Sequence, residues 1–279
     1  MRTLVFGAKG QLGRDLLRVF EQEGEVSGHD LPEVNIAYEP GVQSIVSAFA
    51  PDLIVNAAAF TDVDGAESAL EAAFLTNEAG ARNLAEIAAY RRIPIVHVST
   101  DYVFDGTKGS PYEPDDPVSP LGVYGKTKAA GEVAVRKANP YHFIVRTAWL
   151  YGPGGNNFVE KMLRAAKERG PLRVVCDEVG SPTHTLDLAG AILALVRTDE
   201  YGTYHAVNSG ACSRFEFARA ILDLAKAGIR LDPCVASDFP AKARRPKYSV
   251  LSNARLEQVT GTAMRPWRDA LAGYMKRRT

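Results

Sequence analysis

The sequence has little cysteine, no surplus of either charge and no long hydrophobic run, and each shortage narrows what the chain can be. Cys176, Cys212 and Cys234 are the only cysteines in 279 residues. They are widely separated, odd in number and without Cys-x-x-Cys spacing, which excludes a disulfide framework and a cysteine zinc site. Lys+Arg and Asp+Glu stand at 33 each. No global basic field therefore recruits nucleic acid or an anionic membrane, although a local anion site is allowed. No apolar run approaches the roughly 18 residues of a transmembrane helix. Met1 leads within a few residues into a short apolar run and a glycine turn, not into a signal-peptide core. A cytoplasmic location is expected, with neither nucleic acid nor membrane as a partner.

What is present is the balance of an ordinary globular protein, 46% apolar and 24% charged. The length suffices for one large core, or a core with a smaller lobe. Short apolar runs at residues 3–6, 25–29, 53–58, 94–99 and 142–146 read as strands. Helical patterns at 11–23, 41–49, 69–90 and 122–137 separate them. Strands apolar almost throughout, alternating with helices, predict an α/β fold whose parallel sheet is covered on both faces. Beyond residue 147 the pattern turns irregular. Helices are expected at 187–196 and 214–227, and residues 233–249, rich in Pro, Arg and Lys, suit a substrate-facing lobe. The division expected is a nucleotide-binding core over 1–147, with 148–279 mainly substrate-binding and returning in part to the core.

Gly7-Ala8-Lys9-Gly10-Gln11-Leu12-Gly13 follows the first strand and opens the first helix. Glycines there let the backbone turn sharply and approach a pyrophosphate, which the unpaired N–H groups of the helix start favour. Asp30 closes the second strand. Its carboxylate can accept hydrogen bonds from an adenosine ribose and would repel a 2′-phosphate, which leans toward NADH over NADPH. The small residues Ala57, Ala58 and Ala59, after Asn56 at the end of the third strand, allow a flat cofactor to lie close.

Tyr124 and Lys128 are four apart in a helical pattern and so share one face. A neighbouring ammonium favours the phenolate and would draw the tyrosine pKa down from about 10 toward the working range. Lys128 can also hydrogen-bond a nicotinamide ribose. Taken alone, Tyr-x-x-x-Lys is usually a solvated helix face; position gives it weight. Ser99-Thr100-Asp101 ends the fourth strand, where doubly wound sheets place their ligands and a hydroxyl could support developing oxyanion charge.

These stretches resemble the extended short-chain dehydrogenase/reductase superfamily and, within it, the dTDP-4-dehydrorhamnose reductases. The resemblance runs through most of the chain. It includes residues 7–13, the segment 55–67, Thr100-Asp101-Tyr102-Val103-Phe104, residues 119–128 and 146–151, Asn156-Asn157-Phe158, residues 180–183, and Arg245-Pro246 with Ser249-Val250-Leu251. It implies a Rossmann-type doubly wound sheet with a smaller C-terminal substrate lobe, and an NADPH- or NADH-dependent reductase of a nucleotide-linked keto-sugar. Tyr124 would donate a proton to the C4 keto oxygen, assisted by Lys128 and Thr100. Cofactor contacts would fall at Gly7, Gly10, Gln11, Leu12, Asp30, Asn35, Ile36, Ala58, Ala59, Thr61 and Val98. Thr100, Asp101 and Trp149 would meet the sugar nucleotide, and Arg245 its diphosphate.

Related dehydratases carry Asp-Glu after the threonine; here Tyr102 follows Asp101, which disfavours elimination. A reductase or C4-epimerase of another nucleotide keto-sugar, and a non-catalytic regulatory subunit like that of methionine adenosyltransferase, remain the alternatives. Retention of Tyr124, Lys128 and Thr100 argues against the latter. Some family members dimerise through magnesium held by carboxylates. Asp15 matches one such position, but Leu186 occupies another, with Asp187 next to it, so no metal is expected. A homodimer of another kind stays open.

Overall fold

The structure is a computed structural model and describes residues 1–168, 170–239 and 241–278. Pro240, in the segment expected to face substrate, lies outside the described residues. Among those described, β1 (Thr3–Phe6), β2 (Val26–His29), β3 (Leu53–Asn56), β4 (Ile95–Thr100), β5 (His142–Thr147) and β6 (Gly202–His205) form one sheet. All pair in parallel, in the order β2-β1-β3-β4-β5-β6.

Side chains alternate across this sheet, and both faces are buried. Leu4, Phe6, Ile54, Ile95 and Ile144 enter one core with Val42, Val46, Leu84 and Val135 from the helices Glu39–Phe49, Ala81–Tyr90 and Val123–Ala138. Val5, Val55, Val96, Phe143 and Val145 enter the other, with Leu12, Leu16, Phe20, Leu188, Ile192 and Leu195 from the helices Gln11–Phe20 and Thr185–Val196. Burying each large apolar side chain contributes roughly 1.5–3 kcal/mol, so the two layers carry most of the stability. This is the doubly wound Rossmann-type sheet expected. Its strand order reverses between β1 and β3, which opens a crevice above their C-terminal ends.

Several parts of the later chain return to this core: β6, which extends the sheet beside β5, the helix Thr185–Val196, and Leu256 with Met264 further on. Gly202–His205 escapes sequence reading because Gly-Thr-Tyr-His has no apolar run. The helices Phe158–Glu168 and Trp267–Arg278 also escape it, the latter rich in charge. They join the helix Arg214–Leu224 around a third core of Tyr151, Phe217, Ile221, Trp267, Leu271 and Tyr274. Leu231–Cys234 pairs in parallel with Leu172–Val175, so Pro233 sits in a strand where irregular chain was expected.

The helix expected over 69–90 is broken in the middle. Leu70–Phe74 passes into a π-helical turn, Leu75–Gly80, before Ala81–Tyr90. Such a turn re-aims side chains that a continuous helix would place elsewhere. Here it presents Asn77, buried, to two neighbours. Its Oδ1 accepts the Phe60 N–H at 2.8 Å, and its Nδ2 donates to Thr127 Oγ1 at 2.9 Å. The crossing with Val123–Ala138 is close enough that a Cβ at Gly131 would lie 2.2 Å from the Asn77 carbonyl oxygen. No helix among the described residues is long and apolar enough to cross a membrane.

Gly131→Ala is expected to force this crossing apart and lower stability by about 1–3 kcal/mol, read as a reduced denaturation midpoint at unchanged helix content.

Candidate active site

Above the C-terminal ends of the strands lies a cleft of about 980 Å³, and every residue expected at a site lines it. Gly7, Gly10, Gln11, Leu12, Asp30, Asn35, Ile36, Ala58, Ala59, Thr61 and Val98 stand there with Thr100, Asp101, Tyr124, Lys128, Trp149 and Arg245.

At the crevice, glycine is required for shape. Gly7 has φ +82°, and a Cβ there would lie 2.5 Å from the Ala58 nitrogen; at Gly13 it would lie 2.1 Å from the Gly7 oxygen. The turn after β1 can therefore press against the end of β3 while the helix Gln11–Phe20 closes behind it. Gly10 caps that helix with no side-chain hydrogen bond, so no side chain occupies the N–H groups of its first turn, where Gln11, Leu12 and Gly13 line the cleft. This cradle fits a dinucleotide pyrophosphate, which Gly7, Gly10, Gln11 and Leu12 would hold. Gln11 also reaches across the cleft, Nε2 donating to the Leu150 carbonyl at 3.3 Å and Oε1 accepting from Asn157 at 3.3 Å.

Asp30 stands at the end of β2 and is engaged with backbone. One oxygen accepts the Lys9 N–H and the other the Leu31 N–H, each at 2.8 Å. Asn35 is exposed and accepts from the Ala37 N–H, whereas Ile36 is buried and its carbonyl accepts from Asn83. Ala59 and Thr61 flank Phe60, the residue clamped by Asn77.

Lys128 is almost wholly buried and donates from Nζ to the Val98 carbonyl at 2.7 Å. Burial lowers its pKa to about 8, against the pull of the Glu132 carboxylate one turn on. Tyr124 departs from expectation. Burial, with Asp101 and Tyr102 nearby, raises its pKa, while only the hydroxyl of Thr100 draws it down. Burial outweighs that hydroxyl, so the phenol is neutral in this arrangement and holds a proton it could donate. Thr100 Oγ1 lies 3.1 Å from Asp101 Oδ1, and Ser249 donates to Asp101 Oδ2 at 2.6 Å. Asp101 is buried, which pushes its carboxyl up to about 6 despite those bonds. Tyr102, standing where an elimination enzyme would have Glu, packs edge-on against Tyr124, ring centres 5.5 Å apart.

Beneath the cleft, Glu132 accepts from Ser99 Oγ at 2.6 Å, Arg146 Nε at 2.9 Å and Arg146 Nη2 at 2.7 Å. Both charges are buried, so the pair ties the Tyr124–Lys128 helix to β4 and β5.

Trp149 has φ +46°, a left-handed conformation that is costly for a bulky residue. Its indole packs against Gly180, where a Cβ would lie 2.6 Å away, and against the Arg214 guanidinium, 3.5 Å from the ring centre. Arg214 also stands 3.7 Å from Glu178 and lines the cleft. Arg245, expected on a diphosphate, donates to Asp64 Oδ2 at 2.8 Å and so ties the late loop to the segment after β3.

A family model described as the RmlD substrate binding domain matches residues 1–279. The chain belongs to this family. It is 42% identical over 279 residues to the spore coat polysaccharide biosynthesis protein SpsK of Bacillus subtilis, covering 100% of this chain and 98% of that protein. A solved dTDP-4-dehydrorhamnose reductase of Clostridium acetobutylicum superposes with TM-score 0.96 at 41% identity, over 99% of each chain. The Bacillus anthracis dTDP-4-dehydrorhamnose reductase, solved with NADP, superposes with TM-score 0.96 at 38% identity, also over 99% of each chain.

Within this member of the RmlD family, sequence reading missed Arg214, Glu132 and Asn77. Arg214 opens a helix behind the capping box of Ser213 and Glu216 and carries no motif of its own. Asp15, the one position that matches the magnesium-linked dimer, is buried and accepts from the Thr185 hydroxyl at 2.5 Å, while Asp187 accepts from Arg265 and Asn208. Among the described residues no group of three or more His, Cys, Asp or Glu is placed to hold a metal.

Asp101 makes a pH prediction whose sign is opposite to that of a salt-bridged carboxylate. Its folded pKa, about 6, lies above the unfolded value of about 3.9, so between those limits the folded state holds the extra proton. The contribution to stability is present at low pH and is lost as pH rises through about 6, an effect of up to about 3 kcal/mol. Asp101→Asn should therefore gain stability relative to the parent as pH rises from about 4 to about 7, measured by urea titration at each pH.

Proposed function

We propose that this chain reduces the C4 keto group of dTDP-4-dehydro-L-rhamnose to give dTDP-L-rhamnose, using NADPH or NADH, with Tyr124 as the proton donor. One observation carries the reading. The glycine cradle, the neutral Tyr124 beside Thr100, the buried Lys128 and the charged groups of the later chain open on the same cleft. Membership of a family whose solved relatives are dTDP-4-dehydrorhamnose reductases supports the substrate class.

The nicotinamide cofactor, when bound, supplies the hydride that reduces the carbonyl carbon. The protein's own work is at the oxygen. As negative charge develops there, Tyr124 gives up its hydroxyl proton, and the Thr100 hydroxyl steadies the phenolate left behind. The Lys128 ammonium, below its folded pKa at neutral pH, adds a positive charge beneath the site. Only one of its three N–H donors is committed, to Val98, which leaves donors for a cofactor ribose. Asp101 and Trp149 would flank the sugar, and Arg214 with Arg245 would face its diphosphate. Tyr102 brings no carboxylate to the site, so a second acid–base pair for elimination is missing from this wall. Tyr124, Lys128 and Thr100 all facing the cleft favours turnover over a purely regulatory role. A cytoplasmic location and a homodimer are part of this proposal, as properties to be measured.

The test is nicotinamide oxidation, followed by absorbance, with the 4-keto sugar nucleotide generated by the upstream enzymes. Tyr124→Phe should cut turnover by roughly two to four orders of magnitude and leave nucleotide binding near that of the parent. Wild-type turnover in this variant would remove Tyr124 from the chemistry. Clear nucleotide binding without turnover on this sugar would point to another keto-sugar.

A further inference from the structure

On the β2 side of the crevice Asp30 lines the cleft, and Lys9, Arg14 and Glu33 stand just outside its lining, tied to the same turn. Asp30 turns its oxygens to the N–H groups of Lys9 and Leu31, so its charge stays at the rim while its lone pairs brace the glycine turn. The Lys9 ammonium lies 2.6 and 2.8 Å from the two oxygens of Glu33, and 3.1 Å from the Leu31 carbonyl. Arg14 donates to the Lys9 carbonyl at 3.0 Å, and its guanidinium lies against Gly154. His29, partly buried, is the other titratable group facing Glu33. Unlike the buried pairs elsewhere, Lys9 and Glu33 are well exposed, at 56% and 62%.

We infer that the Lys9–Glu33 ion pair sets this chain's choice between NADH and NADPH, Lys9 being the ligand for an adenosine 2′-phosphate and Glu33 the restraint upon it. The end of the second strand is where the adenosine ribose of a bound dinucleotide lies. The inference therefore rests on the nicotinamide-nucleotide reading of the cleft. An exposed carboxylate–ammonium pair holds by less than about fivefold, so Lys9 leaves Glu33 readily for a phosphate bearing close to two charges. Glu33 then faces that phosphate without its partner, as a like charge screened by solvent. Both cofactors are accepted, and Glu33 limits affinity only for the phosphorylated one. Asp30 alone does not exclude NADPH, because its role is to fix the loop that carries Lys9.

Calorimetric titration of the full chain with NADH and with NADPH, at low and at moderate salt, tests this directly and needs no turnover. Glu33→Gln should tighten NADPH by roughly three- to tenfold and leave NADH unchanged. Lys9→Gln should weaken NADPH by a similar factor, again without moving NADH, and flatten the salt dependence of NADPH binding. Equal shifts for the two nucleotides, or no shift in either variant, overturn the inference while leaving the nucleotide site in place. Failure of the parent chain to bind either nucleotide would overturn both the inference and the reading beneath it.

Discussion

The buried carboxylate of Glu132 is the constraint on which the site depends. Three donors converge on its two oxygens, one from β4 through Ser99 and two from β5 through Arg146. A pair this deeply buried contributes little net stability over apolar residues of the same volume, because desolvating both charges costs about what their attraction returns. Removing one partner is another matter and costs roughly 3–5 kcal/mol. What the pair supplies is register. The helix Val123–Ala138 can meet β4 and β5 in one way only, with Glu132 over Ser99 and Arg146. Lys128 is then one turn earlier and reaches the Val98 carbonyl, and Tyr124 one turn earlier again and reaches Thr100.

A second clamp fixes the segment after β3 against the same helix. The π turn at Leu75–Gly80 aims Asn77 at Phe60 and Thr127 together, so the segment Ala59–Thr61 and the helix bearing Tyr124 are held by one side chain. Gly131 lets the two helices approach closely enough for this. The floor of the cleft and its nearest wall thus share a scaffold. A displacement of Val123–Ala138 would disturb Tyr124 and the segment Ala59–Thr61 at once.

The readable parts of this site are local in sequence. The cradle at Gly7, Gly10 and Gly13 lies within one turn, and Tyr124 with Lys128 within one helical repeat, so spacing alone brings them together. Strand alternation at Leu4, Val5 and Phe6 likewise reports a sheet buried on both faces. What sequence does not show is partnership across distance. Nothing near Lys128 says that its ammonium will bond the Val98 carbonyl, and nothing near Tyr124 says how deeply its phenol is buried, the burial that raises a pKa expected to fall. Asn77 hides within an ordinary helical pattern because a π turn changes direction without changing composition. Arg245 has a motif and Arg214 has none, yet it is Arg214 that stacks on Trp149. Gly202–His205 is polar enough to read as loop, and only the open edge of β5 makes it a strand.

Trp149 shows what the later part of the chain adds. A left-handed conformation at a bulky residue costs on the order of 1–3 kcal/mol and persists only where its surroundings hold it. Those surroundings come from later in the sequence: Gly180 and Arg214 both pack on the indole, with Glu178 holding the guanidinium near its station. Arg214 itself is placed by the capping box of Ser213 and Glu216, and its helix is anchored through Phe217 and Ile221 in the third core. The third core is therefore more than a support for a lobe. Its packing is transmitted through one helix start to one guanidinium, and so to the aromatic wall of the cleft opposite the nucleotide cradle. The Rossmann sheet supplies the glycine cradle and positions Tyr124, while the later chain supplies a rigid apolar face and positive charge.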